Sequence, residues 1–195
     1  MGEGGQGGEV PTVRLPNRPL RFFLLAVPLL LALTACGGGG GGGGPTSPPP
    51  PTKGIVFTAS GSGAAGITLA QAASSDPNTL LLEVRANTVT DLYGVAFDLH
   101  FPTAVLRYVT STPGTFLSGG TVQTVEGAGG VVIVGVSKLG AVAGASGSGV
   151  LLTLQFQGAA TGTGNFSFAR NTAVNSSGQT LSSLAWSAGT VNVTL

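Results

Sequence analysis

From Ile55 onward, apolar and polar residues alternate with a period of two. In "LLEVRAN", Leu82, Val84 and Ala86 fall on one side, and Glu83, Arg85 and Asn87 on the other. In "LTLQFQ", Leu152, Leu154 and Phe156 alternate with Thr153, Gln155 and Gln157. "NFSF" supplies Phe166 and Phe168, and "TVNVTL" supplies Val191, Val193 and Leu195. Successive side chains of an extended chain point to opposite sides, so these runs predict strands with one buried face. Clusters of Gly, Ser, Asn and Thr predict turns at Gly61–Gly63, Gly127–Gly130, Gly144–Gly149, Gly162–Asn165 and Asn175–Gly178. No capped helical pattern of about ten residues or more interrupts them. Short strands with turn signals and no helices predict an all-β sandwich.

The pattern is different before Lys53. Arg14, Arg18 and Arg21 precede the apolar run Phe22–Leu33, which is followed by the small residues Thr34 and Ala35. A basic region, a short apolar region and small residues describe a secretory signal. The run falls well short of the ~20 residues that span a bilayer as a helix. The segment before Arg14 is long for the basic region of such a signal. "LTAC" (Leu33–Cys36) resembles the bacterial lipobox, and Cys36 is the only cysteine of the chain. The resemblance implies that residues 1–35 are a lipoprotein signal peptide removed before Cys36. It further implies that the Cys36 thiol carries lipid and anchors the exported protein to the cell envelope, at the outer membrane or cell surface.

Residues 36–53 then form a lipid-anchored linker. Gly37–Gly44 is expected to be flexible coil, and the Pro-rich stretch Pro45–Thr52 extended polyproline II. Their reach is roughly 16 Å and roughly 25 Å respectively. The glycine run lacks a preceding strand and a terminal GK[ST], so it is no phosphate loop.

Composition narrows what the remainder, residues 54–195, can do. Four basic residues (Arg85, Arg107, Lys138, Arg170) face five acidic ones (Asp76, Glu83, Asp91, Asp98, Glu126), scattered along the chain. Nucleic-acid binding requires grouped Lys and Arg to neutralise phosphates, so it is excluded. The single histidine, His100, lies mid-strand and offers no hydrolytic triad. The carboxylates have no setting that marks an acid–base pair. Asp76, Asp91 and Asp98 form no dense calcium loop, and one histidine with no cysteine in the domain gives no zinc set. No metal, cofactor or catalytic residue is assigned.

The order and spacing of "VTDLYGVAFDLHFPTAVL" (Val89–Leu106), "GTFLSG" (Gly114–Gly119), "GSGVLLTLQFQG" (Gly147–Gly158) and "GTVNV" (Gly189–Val193) resemble a cohesin domain. That resemblance implies a nine-stranded jelly roll over nearly all of residues 54–195. It also implies a non-catalytic module that binds a dockerin-like protein, with polysaccharide breakdown as the setting. Well-studied cohesins carry an aromatic-Asp-Pro turn, whereas here Phe101 and Pro102 adjoin directly. Their partner-facing strand places Asn and Asp at positions that fall near Gly94 and Ala96 here. The same parity carries Asp98 and His100, so Gly94, Ala96, Asp98 and His100 are the expected partner-binding residues. The neighbouring run "VVIVGV" (residues 131–136) has no polar side, so one of its faces is expected to be an exposed apolar patch.

A glycan-binding module of the same fold, binding polysaccharide directly, is the rival reading; a structural or adhesion lipoprotein of the envelope is a third. Flat polysaccharide is bound by exposed aromatic rings. The domain offers Trp186, Tyr93 and Tyr108 beside its phenylalanines. Trp186 is expected to plug the core near the last strand, and Tyr93 to be exposed at a turn.

Overall fold

A computed structural model describes residues 52–61 and 65–195. The expected signal peptide, Cys36, nearly all of the expected linker and most of the expected turn at Gly61–Gly63 lie outside the described residues. Within them the protein is all-β, as expected, and ten strands are delimited. These are β1 (Gly54–Ala59), β2 (Gly66–Ala72), β3 (Thr79–His100), β4 (Leu106–Pro113), β5 (Thr121–Gly127), β6 (Val131–Ser137), β7 (Ala145–Gly158), β8 (Gly162–Asn175), β9 (Ala185–Ser187) and β10 (Gly189–Thr194).

One strand belongs to both layers of the sandwich. The first part of the 22-residue β3 pairs with β2 and β7, and its last part, Gly94–His100, pairs with β6 and β8. One layer is therefore β9–β2–β3–β7–β4, and the other β1–β10–β8–β3–β6–β5. The crossing is made by irregular pairing between Ala86 and Leu92, where Thr88 (φ 47°) and Asp91 (φ 53°) adopt left-handed backbone. The buried positions of β3 record it. They run Leu80, Leu82, Val84, Ala86, then Val89, Leu92, Val95, then Phe97 and Leu99. Each three-residue step keeps the apolar side turned inward as the strand passes from one layer to the other.

The alternation read from the sequence packs the core between the layers. Leu82, Val84, Ala86, Leu152, Leu154 and Phe156 are fully buried, and Phe166, Val191 and Val193 nearly so. Aromatic rings join the layers: Phe156 on β7 meets Phe166 on β8 edge-on at 5.4 Å, and Trp186 on β9 meets Phe168 at 5.2 Å. Trp186 thus sits against the core, as expected. Leu195, expected on the buried side of the last strand, is exposed one residue beyond the end of β10.

Two glycine clusters expected to be turns are strand instead. Gly144–Gly149 runs into β7, and Gly162–Asn165 opens β8 against β10. Glycine serves close approach there: a Cβ on Gly164 would meet Pro102 Cβ at 2.3 Å, and one on Gly149 would meet the Phe116 ring at 2.7 Å. The expected turns at Gly127–Gly130 and Asn175–Gly178 are present. In the latter the Asn175 side-chain oxygen accepts from the Ser177 and Gln179 amides.

The open sides of the sandwich are laced by side chains. On one side Gln71 of β2 accepts from the Phe57 amide at 2.7 Å and donates to the Ile55 carbonyl at 2.9 Å, occupying the free edge of β1. On the other, Ser111 of β4 and Thr124 of β5 share a hydroxyl hydrogen bond of 2.7 Å.

Candidate docking face

The outer surface of β8–β3–β6–β5 is ordered in rows by the strand register. Thr121, Ser137, Gly94 and Val174 lie across the four strands in one row, and Gln123, Gly135, Ala96 and Thr172 in the next. A third row holds Val125, Ile133, Asp98 and Ala169; a fourth holds Gly127, Val131, His100 and Ser167. Val132, Val134 and Val136 point into the core, which leaves Ile133 and Gly135 outward on β6. The all-apolar run "VVIVGV" therefore does present an apolar outer side, centred on Ile133 and its exposed neighbour Val125.

Small residues make a depression in this face. Its floor is Gly94, Ala96 and Gly135; Thr121 and Gln123 wall it on one side, Thr172 and Val174 on the other, enclosing about 340 Å³. A Cβ added to Gly135 would meet nothing within 4 Å, so its missing side chain is open space above the sheet rather than a packing requirement.

The four residues expected at the partner-binding surface all share this outward side of β3. Ala96 and His100 are exposed, whereas Gly94 is buried at the base of the depression, where an added Cβ would stand 3.2 Å from the Val136 carbonyl oxygen. Asp98 corrects the expectation of an accessible acid, because its side chain is only 8% exposed. It is covered by Arg170, whose Nε donates to Asp98 Oδ2 at 2.6 Å and whose Nη2 contacts the same oxygen. Arg170 sits at φ 46° in a bulge where two residues of β8, Arg170 and Asn171, stand against Phe97 alone. Sequence reasoning missed Arg170, since its partner lies 72 residues away and the bulge breaks the alternation. The opposed small residues Ala96 and Gly135 were the readable sign of the depression.

At the end of the face nearest Gly94, Asp91 fastens three segments. It accepts from the Gly144 amide at 2.8 Å and from the Ser176 hydroxyl at 2.8 Å, while its own amide donates to Ser146. The Ser176 hydroxyl, then the Gly144 amide, hold its carboxyl below the usual 3.8. Tyr93, expected to be exposed, is half-buried and donates from its hydroxyl to the Gly140 carbonyl at 2.6 Å.

Among the described residues the aromatic side chains form no exposed platform. Tyr108 packs on Phe156, and Trp186 on Phe97 and Phe168. Among the described residues no three His, Cys, Asp or Glu side chains group to hold a metal.

No family model and no curated protein matches the chain. Solved structures do. The sixth cohesin of Acetivibrio cellulolyticus scaffoldin B, solved with a Cel5 dockerin, is 16% identical, with a TM-score of 0.56 over 66% of this chain and 99% of that one. A type I cohesin–dockerin complex from Clostridium thermocellum gives 11% identity and a TM-score of 0.54 over 66% and 98%. A non-cellulosomal cohesin from Archaeoglobus fulgidus gives 13% and 0.50 over 69% and 87%. At these identities the likeness is one of fold, and the described part of the chain is a cohesin-like jelly roll.

Proposed function

We propose that this chain is a non-catalytic, surface-tethered module that captures a protein of the dockerin kind on the outer face of β8–β3–β6–β5. The observation that carries the reading is the depression floored by Gly94, Ala96 and Gly135 beside the exposed Val125 and Ile133. Small residues at the centre let a partner's backbone or side chains approach the sheet, and burying the flanking apolar side chains supplies the driving force. The fold adds support, because similar structures include cohesins solved together with dockerins. The lack of an exposed aromatic platform among the described residues weighs against direct binding of flat polysaccharide.

The tethering half of the proposal rests on sequence. "LTAC" after a basic and apolar leader marks Cys36 for lipidation, with residues 37–53 as a stalk between the envelope and the domain. One acyl chain holds a protein only marginally and two hold it stably. A diacylglyceryl thioether at Cys36 meets that requirement.

The test uses the detergent-solubilised full chain and dockerin modules encoded in the same genome, each expressed singly. The account expects at least one module to bind, and Gly135→Arg, which fills open space without disturbing the core, to abolish that binding. Failure of every module to bind, with the chain co-sedimenting on insoluble polysaccharide instead, overturns it.

A further inference from the structure

The accessible charge on the outward side of the docking face is that of Arg170; the exposed Glu126 of β5 stands in the row of the inward-facing Val132 instead. Across its four strand segments Arg170 is the only lysine or arginine. The acid beside it is out of reach: the Asp98 side chain is 8% exposed and that of Arg170 is 75% exposed. Both contacts to Asp98 come from Nε and Nη2 and go to a single carboxylate oxygen. The Nη1 donors of the guanidinium make no hydrogen bond among the described residues. A partner arriving on this face therefore meets a cation already oriented by a covered carboxylate.

The backbone supports the same reading. A left-handed, non-glycine residue in a bulge is an uncommon, strained conformation. Here it turns the Arg170 side chain back over the sheet, next to the row that carries Val125 and Ile133. Holding the guanidinium in place beforehand lowers the entropy lost when it engages a second group. Its planar donors match a carboxylate in geometry as well as charge.

We infer that Arg170 is a specificity-determining residue of the docking face, and that the partner module presents an Asp or Glu carboxylate to its outward edge. This rests on the docking reading above. Asp98 is then a positioning residue, acting on the partner only through Arg170. The polarity matters for selection. A module with a basic contact residue at this point meets like charge, whereas one with an acidic residue gains a charge-assisted hydrogen bond.

The test titrates a dockerin module that binds the wild-type full chain, at low and high sodium chloride. Arg170→Gln combined with Asp98→Asn removes both charges together, so neither partner is left as an uncompensated buried ion. The expected result is a loss of affinity of roughly 10- to 100-fold at low salt and a flattened salt dependence. Arg170→Glu is expected to lose more, and replacing the partner's contacting carboxylate by lysine should restore binding to that variant. A merely structural role for the pair would not produce such rescue. Should the double variant bind like wild type with unchanged salt dependence while Gly135→Arg still blocks binding, the inference falls and the docking face stands. Should Gly135→Arg leave binding untouched, the docking reading falls and this inference with it.

Discussion

Phe156 shows how much of the domain is decided at single positions. It is fully buried and touches Phe101, Tyr108 and Phe166 at ring separations of 5.2–5.7 Å, linking the two layers. Truncation to alanine is expected to cost about 3–5 kcal/mol, read as a lowered denaturant midpoint with little change in slope. Asp91 and Asp76 make a second kind of residue-scale prediction. Hydrogen bonds from Ser176 and Gly144 lower the Asp91 carboxyl, and those from the Asn78 amide and the Thr79 hydroxyl lower that of Asp76. A depressed native value adds stability above the ordinary carboxylate range and loses it as pH falls through the native values. The domain is therefore expected to weaken below about pH 4, and Asp91→Asn to reduce that acid sensitivity in thermal melts from pH 6 to 2. His100, Ala96, Gly94 and Asp98 were legible as one face because parity along a strand is a local property. That Asp98 is covered was not, since the covering arginine comes from a distant strand and is placed by a bulge.

The strands separate what local pattern decides from what tertiary packing decides. The buried sides of β7 and β10 follow directly from alternation, and so does the first stretch of β3. The length of β3 does not. Thr88 and Asp91 turn the chain from one layer to the other with neither Gly nor Pro to announce it. Glycine also misleads in the other direction: Gly149 and Gly164 read as punctuation yet sit in strands where Phe116 and Pro102 leave no room for a side chain. Edge protection is equally hidden, because Gln71 satisfies the backbone of a strand 14 and 16 residues earlier. Gln71→Ala is expected to remove two hydrogen bonds worth about 0.5–1.5 kcal/mol each. Hydrogen exchange would register it as faster exchange of the Phe57 amide, with Leu154 in the core unchanged.

At the scale of the molecule, the chain enters the sandwich at Gly54, opposite Thr194, at the end of the sheet nearer His100. The depression lies toward the other end, around Gly94 and Ser137. The proposed lipid anchor and the proposed docking face therefore act separately, and Cys36→Ser is expected to abolish palmitate labelling and release the protein from membranes without changing affinity for a soluble partner. The all-β class and the jelly-roll order were readable because strand alternation and the order and spacing of the cohesin-like segments are visible along the chain itself. A partner's identity is not encoded in that order; it depends on the few outward side chains that the framework displays. The sequence carries its own reporter of that display, having only three isoleucines, of which Ile55 and Ile67 are buried and Ile133 is exposed on the proposed docking face. The most direct measurement is methyl NMR of isoleucine-labelled protein during titration with a binding dockerin module. The account predicts that the Ile133 methyl signal shifts while those of Ile55 and Ile67 hold their positions. A bound complex in which the Ile133 signal stays unmoved would contradict it.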